Sequence, residues 1–137
     1  MKRIFCILLA VALMAALIVP AMAAEQEVSA SPRYRYIQGI SAGLTINKTF
    51  GLTDCTASSV VFGGDSIVLT CSLQRYNGST WTTIKSWTST ENPSASIAKN
   101  YGVYSGYTYR VKASCAVYNS SGTLLESGYI YSDEVYY

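Results

Sequence analysis

The chain has 137 residues, with ten basic and eight acidic side chains, four cysteines and no histidine. Because histidine is absent, catalysis by an imidazole base and zinc sites with imidazole ligands are excluded, and we predict neither a metal site nor a cofactor. The near balance of charge argues against a nucleic-acid partner, since binding to a phosphate backbone needs clustered lysine and arginine.

Residues 1–23 have the three parts of a secretory signal peptide. A basic pair, Lys2 and Arg3, precedes an unbroken apolar run over residues 4–19, and an A-x-A cleavage site ends at Ala23. The run is shorter than the roughly 20 residues that a membrane helix needs. We therefore predict export, cleavage after Ala23 and a mature chain with no membrane anchor. Loss of the basic pair would leave equal numbers of basic and acidic residues.

Residues 24–33 contain few large apolar side chains and predict a flexible leader. From residue 34 onward, alternating apolar and polar residues are interrupted by turn residues at short spacing. This pattern predicts one all-β domain over residues 34–137, an antiparallel two-sheet β-sandwich of about seven strands. The predicted strand segments are 34–37 and 40–47, then 53–62, 66–76, 81–89, 95–103, 107–118 and 123–131.

A hairpin is predicted around Asn77-Gly78, a dipeptide typical of type I′ turns. The strand before it is apolar at its odd positions, which we therefore expect to face the core. Continued across the turn, this parity directs Ile84 inward and both Trp81 and Trp87 outward.

Residues 107–118 show the clearest strand pattern, with large apolar side chains at the odd positions and polar ones, including Arg110, at most even positions. The strand after it has two possible registers. One places Glu126 in the core, whereas a bulge at Gly122 would bury Leu125, Tyr129 and Tyr131 instead. We favour the second register because it leaves no unpaired carboxylate buried.

Tyr107, Tyr109, Val111 and Ala113 match the Tyr-x-apolar-x-Val-x-Ala pattern of the sixth strand in fibronectin type III and immunoglobulin-like domains. In this C-terminal quarter the chain resembles that family. The resemblance implies an immunoglobulin-like or fibronectin type III-like sandwich, in which a tyrosine hydroxyl ties the preceding corner to the strand. It assigns that structural role to Tyr107.

A second resemblance covers most of the mature chain. The chain is similar to a family of small exported proteins of Gram-positive bacteria known as a domain of unknown function. This resemblance implies secretion and the same fold, and it transfers no activity and no site. It is carried by ISAGL at 40–44, LQ at 73–74, WTTIKSW at 81–87, GYTYRV at 106–111 and YNSSG at 118–122.

Three cysteines, Cys55, Cys71 and Cys115, remain after cleavage and lie within predicted strands. Immunoglobulin-like sandwiches bridge the second and sixth strands across the core, so the first resemblance implies a disulfide between Cys55 and Cys115. Two alternatives stay open. Cys71 could pair with Cys115, or all three thiols could be buried as small apolar side chains.

The candidate ligand-binding face comprises Trp81 and Trp87, with Tyr76, Arg110 and Tyr118 on the same side of the sheet. Exposed indoles are unusual, and flat aromatic rings stack on sugars or anchor protein partners. The alternative is that the indoles fold over their own sheet and pack on neighbouring basic side chains.

No nucleophile-elbow, phosphate-loop or zinc-protease motif occurs in the chain. We therefore predict a secreted, non-enzymatic module for interaction or adhesion, whose partner outside the cell is a protein or a glycan. One alternative is a carbohydrate-binding module that uses Trp81 and Trp87. The third hypothesis is a secreted enzyme.

Overall fold

The computed structural model describes residues 33–137, which form one compact unit. The predicted signal peptide, and all of the predicted leader except Arg33, lie outside the described residues. Within this range the chain has no helix that could cross a membrane. The described residues form eight strands: β1 (Ile37–Asn47), β2 (Leu52–Val61), β3 (Ser66–Tyr76), β4 (Trp81–Ser89), β5 (Ser94–Gly102), β6 (Thr108–Tyr118), β7 (Leu124–Tyr131) and β8 (Val135–Tyr136).

The strands form two antiparallel sheets, as predicted. The smaller sheet has the order β1-β2-β5, and the larger has the order β4-β3-β6-β7, with β8 pairing to β6. Strand β4 lies beside β3 in the larger sheet, whereas constant-type immunoglobulin domains place their fourth strand in the opposite sheet. The two antiparallel sheets confirm the expected all-β sandwich. Strands β3 and β6 are the central strands of the larger sheet.

Alternation of side chains explains where the core lies. The odd residues are buried from Ile67 to Leu73 in β3 and throughout β6, and in β2 every second residue from Thr53 to Val61 is buried as well. These inward faces meet between the sheets and bury Ile67, Leu69, Leu73 and Val111 completely. The two short segments predicted at 34–37 and 40–47 form one strand, β1, with a register shift between Ile37 and Gly39. Every other long strand begins and ends within one residue of its prediction.

The three described cysteines are buried free thiols, so the prediction of a disulfide between Cys55 and Cys115 is wrong. The offset along β2 explains why. The Cys115 thiol approaches the side chain of Ser59, which is four residues beyond Cys55 on the same strand. Four residues of a strand span about 13 Å, far more than the distance a disulfide bridges.

The tyrosine that ties the corner is Tyr109, so the prediction of Tyr107 is wrong. The Tyr109 hydroxyl donates a 2.7 Å hydrogen bond to the main-chain carbonyl of Tyr104. Tyr109 is 1% exposed and Tyr107 is 38% exposed. Because β6 begins only at Thr108, Tyr107 precedes the strand, and its ring lies under the Arg75 guanidinium instead.

The favoured register of the last long strand is also wrong. Glu126 pairs with Val117 and lies on the inward side of β7, while Tyr129 and Tyr131 lie on the outward side. The Glu126 carboxylate accepts hydrogen bonds at 2.7–2.8 Å from the main-chain N–H groups of three successive residues that lead into β1. The carboxylate is therefore satisfied by hydrogen bonds, which removes the cost that argued against this register.

Candidate functional site

The outward face of the larger sheet carries a row of aromatic and basic side chains that crosses four strands. We call it the ladder. Its members come from β3, β4, β6 and β7, and strand pairing brings them together on one side of the sheet. The ladder consists of Tyr76, Trp81, Arg110, Lys112, Tyr129 and Tyr131.

Strand register explains why these residues are neighbours. Tyr76 and Trp81 are directly paired across the β3–β4 hairpin, and their ring centroids are 5.2 Å apart. Lys112 is paired with Tyr131 across β6 and β7. Paired residues on adjacent strands point to the same side, so each step of the ladder follows from hydrogen bonding of the main chain.

Arg110 occupies the centre of the ladder. Its guanidinium carbon lies 4.0 Å from the ring centroid of Trp81 and 3.8 Å from that of Tyr131. The Nε group donates a 2.9 Å hydrogen bond to the Gln74 side-chain oxygen. Attraction to two aromatic rings and the hydrogen bond to Gln74 together restrain the guanidinium.

Lys112 is the second positively charged residue of the ladder. Its ammonium lies 4.4 Å from the ring centroid of Tyr129 and 5.9 Å from that of Tyr131. The two tyrosine rings meet edge to face at 5.6 Å. Tyr129 is 58% exposed, so this end of the ladder presents a large aromatic surface to solvent.

The charge of the ladder is positive. Within residues 33–137, the only ion pair joins Arg110 to Glu134, at a distance of 4.0 Å, and the Glu134 carboxylate lies at the exposed edge of the sheet. A pair at that separation contributes little when one partner, here Glu134, is exposed to solvent. Around the ladder the same face carries hydroxyl groups, among them the hydrogen-bonded pair Ser72 and Ser86. The face thus combines two cations with aromatic rings in neutral, polar surroundings.

The structure brings Tyr76, Trp81 and Arg110 together as predicted, but the predicted outward orientation of Trp87 is wrong. A bulge in β4 leaves Ile84 without a partner, because Leu73 pairs with Lys85 while the next residue, Gln74, pairs with Thr83. One extra residue reverses the faces beyond it. Trp87 consequently pairs with Cys71, packs against the core and contacts Tyr101 at 6.3 Å between ring centroids.

Tyr118 shares the outward face of β6 but lies outside the ladder. It follows Arg110 by eight residues, which corresponds to about 27 Å along an antiparallel strand. Sequence reasoning missed Lys112, Tyr129 and Tyr131. Lys112 follows Arg110 by two residues, so the alternation of the strand already indicated that both side chains face the same side. The two tyrosines were missed because the wrong register assigned them to the core.

The chemistry available to the described residues is limited. Residues 33–137 contain no group of three or more histidine, cysteine or carboxylate side chains placed to hold a metal ion. Burial raises the pKa of the Cys71 thiol to about 12, with a smaller contribution from Cys55. Burial likewise raises the pKa of Cys55 and of Cys115. These thiols are therefore protonated at neutral pH and are poor nucleophiles.

The ladder is rich in the residue types that dominate protein-binding surfaces. Tyrosine, tryptophan and arginine are enriched in such surfaces, and lysine alone among the ladder residues is usually depleted.

Comparison of the chain with protein-family models and with curated proteins found no match.

Proposed function

We propose that the chain is a secreted, non-enzymatic β-sandwich module that binds a protein partner outside the cell through the ladder. The observation that carries this proposal is the position of Arg110 between Trp81 and Tyr131 on an outward sheet face. Export is inferred from the signal-peptide pattern of residues 1–23, and the resemblance to small exported bacterial proteins supports it.

Preorganisation favours binding by the ladder. An arginine normally loses side-chain entropy when a partner fixes it, and that loss weakens association. The Arg110 guanidinium is already restrained by two rings and by the Gln74 oxygen. A partner that contacts it therefore gains the interaction with a smaller entropic cost.

The sign of the charge points to an acidic partner surface. Arg110 and Lys112 lie two residues apart on one strand and face the same side. Glu134, the nearby carboxylate, makes only the long contact with Arg110. Carboxylates of a partner can replace that contact with shorter, charge-assisted hydrogen bonds to the guanidinium.

Carbohydrate binding is the second candidate, and the exposed ring of Tyr129 favours it. The tryptophans contribute less than the sequence indicated, since Trp87 packs on the core and Trp81 lies between Tyr76 and Arg110. A sugar would therefore stack on Tyr129, next to the Lys112 ammonium.

The test is capture of extracellular proteins by the immobilised mature chain, with quantitative mass spectrometry of the retained proteins. We expect an acidic partner whose retention falls at least about tenfold in Arg110→Gln and in Trp81→Ala, and falls with added salt. Lys99→Gln, which removes an exposed cation from β5 in the other sheet, is the matched control and should retain the partner.

Equal retention by Arg110→Gln and wild type would contradict the protein-binding proposal. A glycan array probed with the same proteins separates the second candidate. Glycan binding that Tyr129→Ala abolishes and Lys99→Gln preserves would favour carbohydrate recognition. Circular dichroism of each variant shows that a loss of binding is not a loss of folding.

A further inference from the structure

An open groove of about 500 Å³ lies at one end of the sandwich, on the opposite side of the larger sheet from the ladder. Its walls come from the connection between β1 and β2, the end of β3, the middle of β4, and the end of β5 with the connection that leads into β6. The size falls within the range of roughly 300–1,000 Å³ that is usual for small-molecule sites. Four aromatic residues are among those that line it: Phe50, Tyr101, Tyr104 and Tyr109.

Arg75 is the only charged residue among those that line the groove. It follows Gln74 on β3 and therefore points to the side of the sheet opposite the ladder. Its guanidinium carbon lies 4.5 Å from the ring centroid of Tyr107. In the described range, Arg110 is the only arginine whose side chain donates a hydrogen bond to a protein atom or forms an ion pair. The N–H donors of Arg75 thus have no protein acceptor there.

The walls of the groove are held in place by main-chain hydrogen bonds. The Val103 N–H donates to the Gly51 carbonyl at 2.7 Å, which joins the two connections. The buried Tyr109 hydroxyl holds the carbonyl of Tyr104. A groove with fixed walls is already shaped for a ligand, so little ordering is needed on binding.

The rim of the groove exposes two large rings. Phe50 is 80% exposed and Tyr104 is 79% exposed. Large aromatic side chains are normally covered, and a cluster of exposed ones marks a surface that gains from contact with an apolar body. The groove therefore offers an apolar rim together with one planar cation, Arg75, that no carboxylate of residues 33–137 pairs with.

We propose that this groove binds a small ligand that joins a flat apolar ring to a carboxylate. The Arg75 guanidinium pairs with the carboxylate, for which its planar fork is the geometric complement. Phe50 and Tyr104 cover the ring. This site is separate from the ladder, and it does not depend on the protein-binding proposal.

The test is an NMR titration of the ¹⁵N-labelled mature chain with 3-phenylpropionate and with its neutral analogue, 3-phenylpropanamide. We expect saturable shifts at the amides of Gly51, Gly102 and Tyr104, and affinity about tenfold higher for the carboxylate. Arg75→Gln should abolish the difference between the two probes. Arg35→Gln is the matched control, because Arg35 is exposed and lies beside Glu126, near the opposite end of β6.

A second variant tests the apolar half of the site and covers the case in which Arg75→Gln does not fold. Tyr104→Ala removes an exposed ring and keeps the carbonyl that Tyr109 needs, so it should fold and weaken both probes. The proposal is overturned if neither probe gives saturable shifts, if both bind wild type equally, or if the shifts map to the ladder.

Discussion

The hydroxyl of Tyr109 donates a hydrogen bond to the main-chain carbonyl of Tyr104, five residues earlier, at 2.7 Å. This contact closes the connection between β5 and β6 onto the start of β6. Burial raises the pKa of Tyr109, which outweighs the smaller lowering by nearby Arg75 and by the hydrogen bond to Tyr104. The hydroxyl therefore remains protonated and serves as a donor throughout the physiological pH range.

Tyr109→Phe should lower the free energy of unfolding by about 1–2 kcal/mol, because the Tyr104 carbonyl loses its partner while the buried ring is retained. Tyr107→Phe is the matched control, since the same atom is removed two residues away. We expect it to change stability by less than about 0.5 kcal/mol. Urea denaturation monitored by fluorescence measures both. A larger loss of stability in Tyr107→Phe than in Tyr109→Phe would show that the Tyr107 hydroxyl, and not that of Tyr109, ties the corner to the strand.

The Glu126 carboxylate should make stability depend on pH. Burial raises the pKa of Glu126, but the N–H groups of Arg35, Ile37 and Tyr36 together lower it below the ordinary value of 4.5. The unfolded chain then binds the proton more tightly than the folded chain does. The stabilisation is therefore complete above pH 4.5 and is lost as pH falls through the lower pKa of the folded state.

Glu126→Gln should be less stable than wild type by about 1–3 kcal/mol at pH 7, because charge-assisted hydrogen bonds are lost. The difference should shrink at pH 3, where the wild-type carboxyl group is increasingly protonated. Urea unfolding at the two pH values measures it. Glu91→Gln removes an exposed carboxylate and is the control. A difference that stayed constant between pH 7 and pH 3 would show that the charge of Glu126 is not what stabilises the fold.

The three thiols should be inert in the folded protein. Cys55, Cys71 and Cys115 are buried and unpaired, and burial raises their pKa values. We expect no reaction with Ellman's reagent in native buffer and reaction of all three in denaturant. The intact mass and the unfolding midpoint should be the same with and without reductant. A mass that rises on reduction would show a disulfide and contradict the structure.

Two glycines with the same type of backbone conformation should differ in how much stability is lost when each is replaced by alanine. Gly64 and Gly78 have φ values of +88° and +92°, so alanine at either position costs about 1–2 kcal/mol. At Gly64 an added Cβ would also collide with the Val117 side chain, whereas at Gly78 it meets open space. Gly64→Ala should therefore cost about 1–3 kcal/mol more than Gly78→Ala. Equal unfolding midpoints would rule out a close contact at Gly64.

The candidate site was only partly predictable. Arg110 belongs to a strand with an unbroken alternation, and Tyr76 and Trp81 flank a recognisable turn, so local pattern placed all three on the outward face. The groove around Arg75 left no such signal, because its lining combines residues from five separate parts of the chain. Only packing of the two sheets brings Phe50, Tyr104 and Arg75 to one end of the sandwich.

The amino-acid sequence by itself determined the strands and the inward faces of β3 and β6, because alternation with a period of two is a local property of each strand. Tertiary structure decided the faces of Trp87, Tyr129 and Tyr131. Each depends on one bulge or register shift, and a shift of a single residue turns every later side chain to the other side. Glu126 shows the physical reason, since the N–H groups that make its inward position favourable come from residues some 90 positions earlier in the chain.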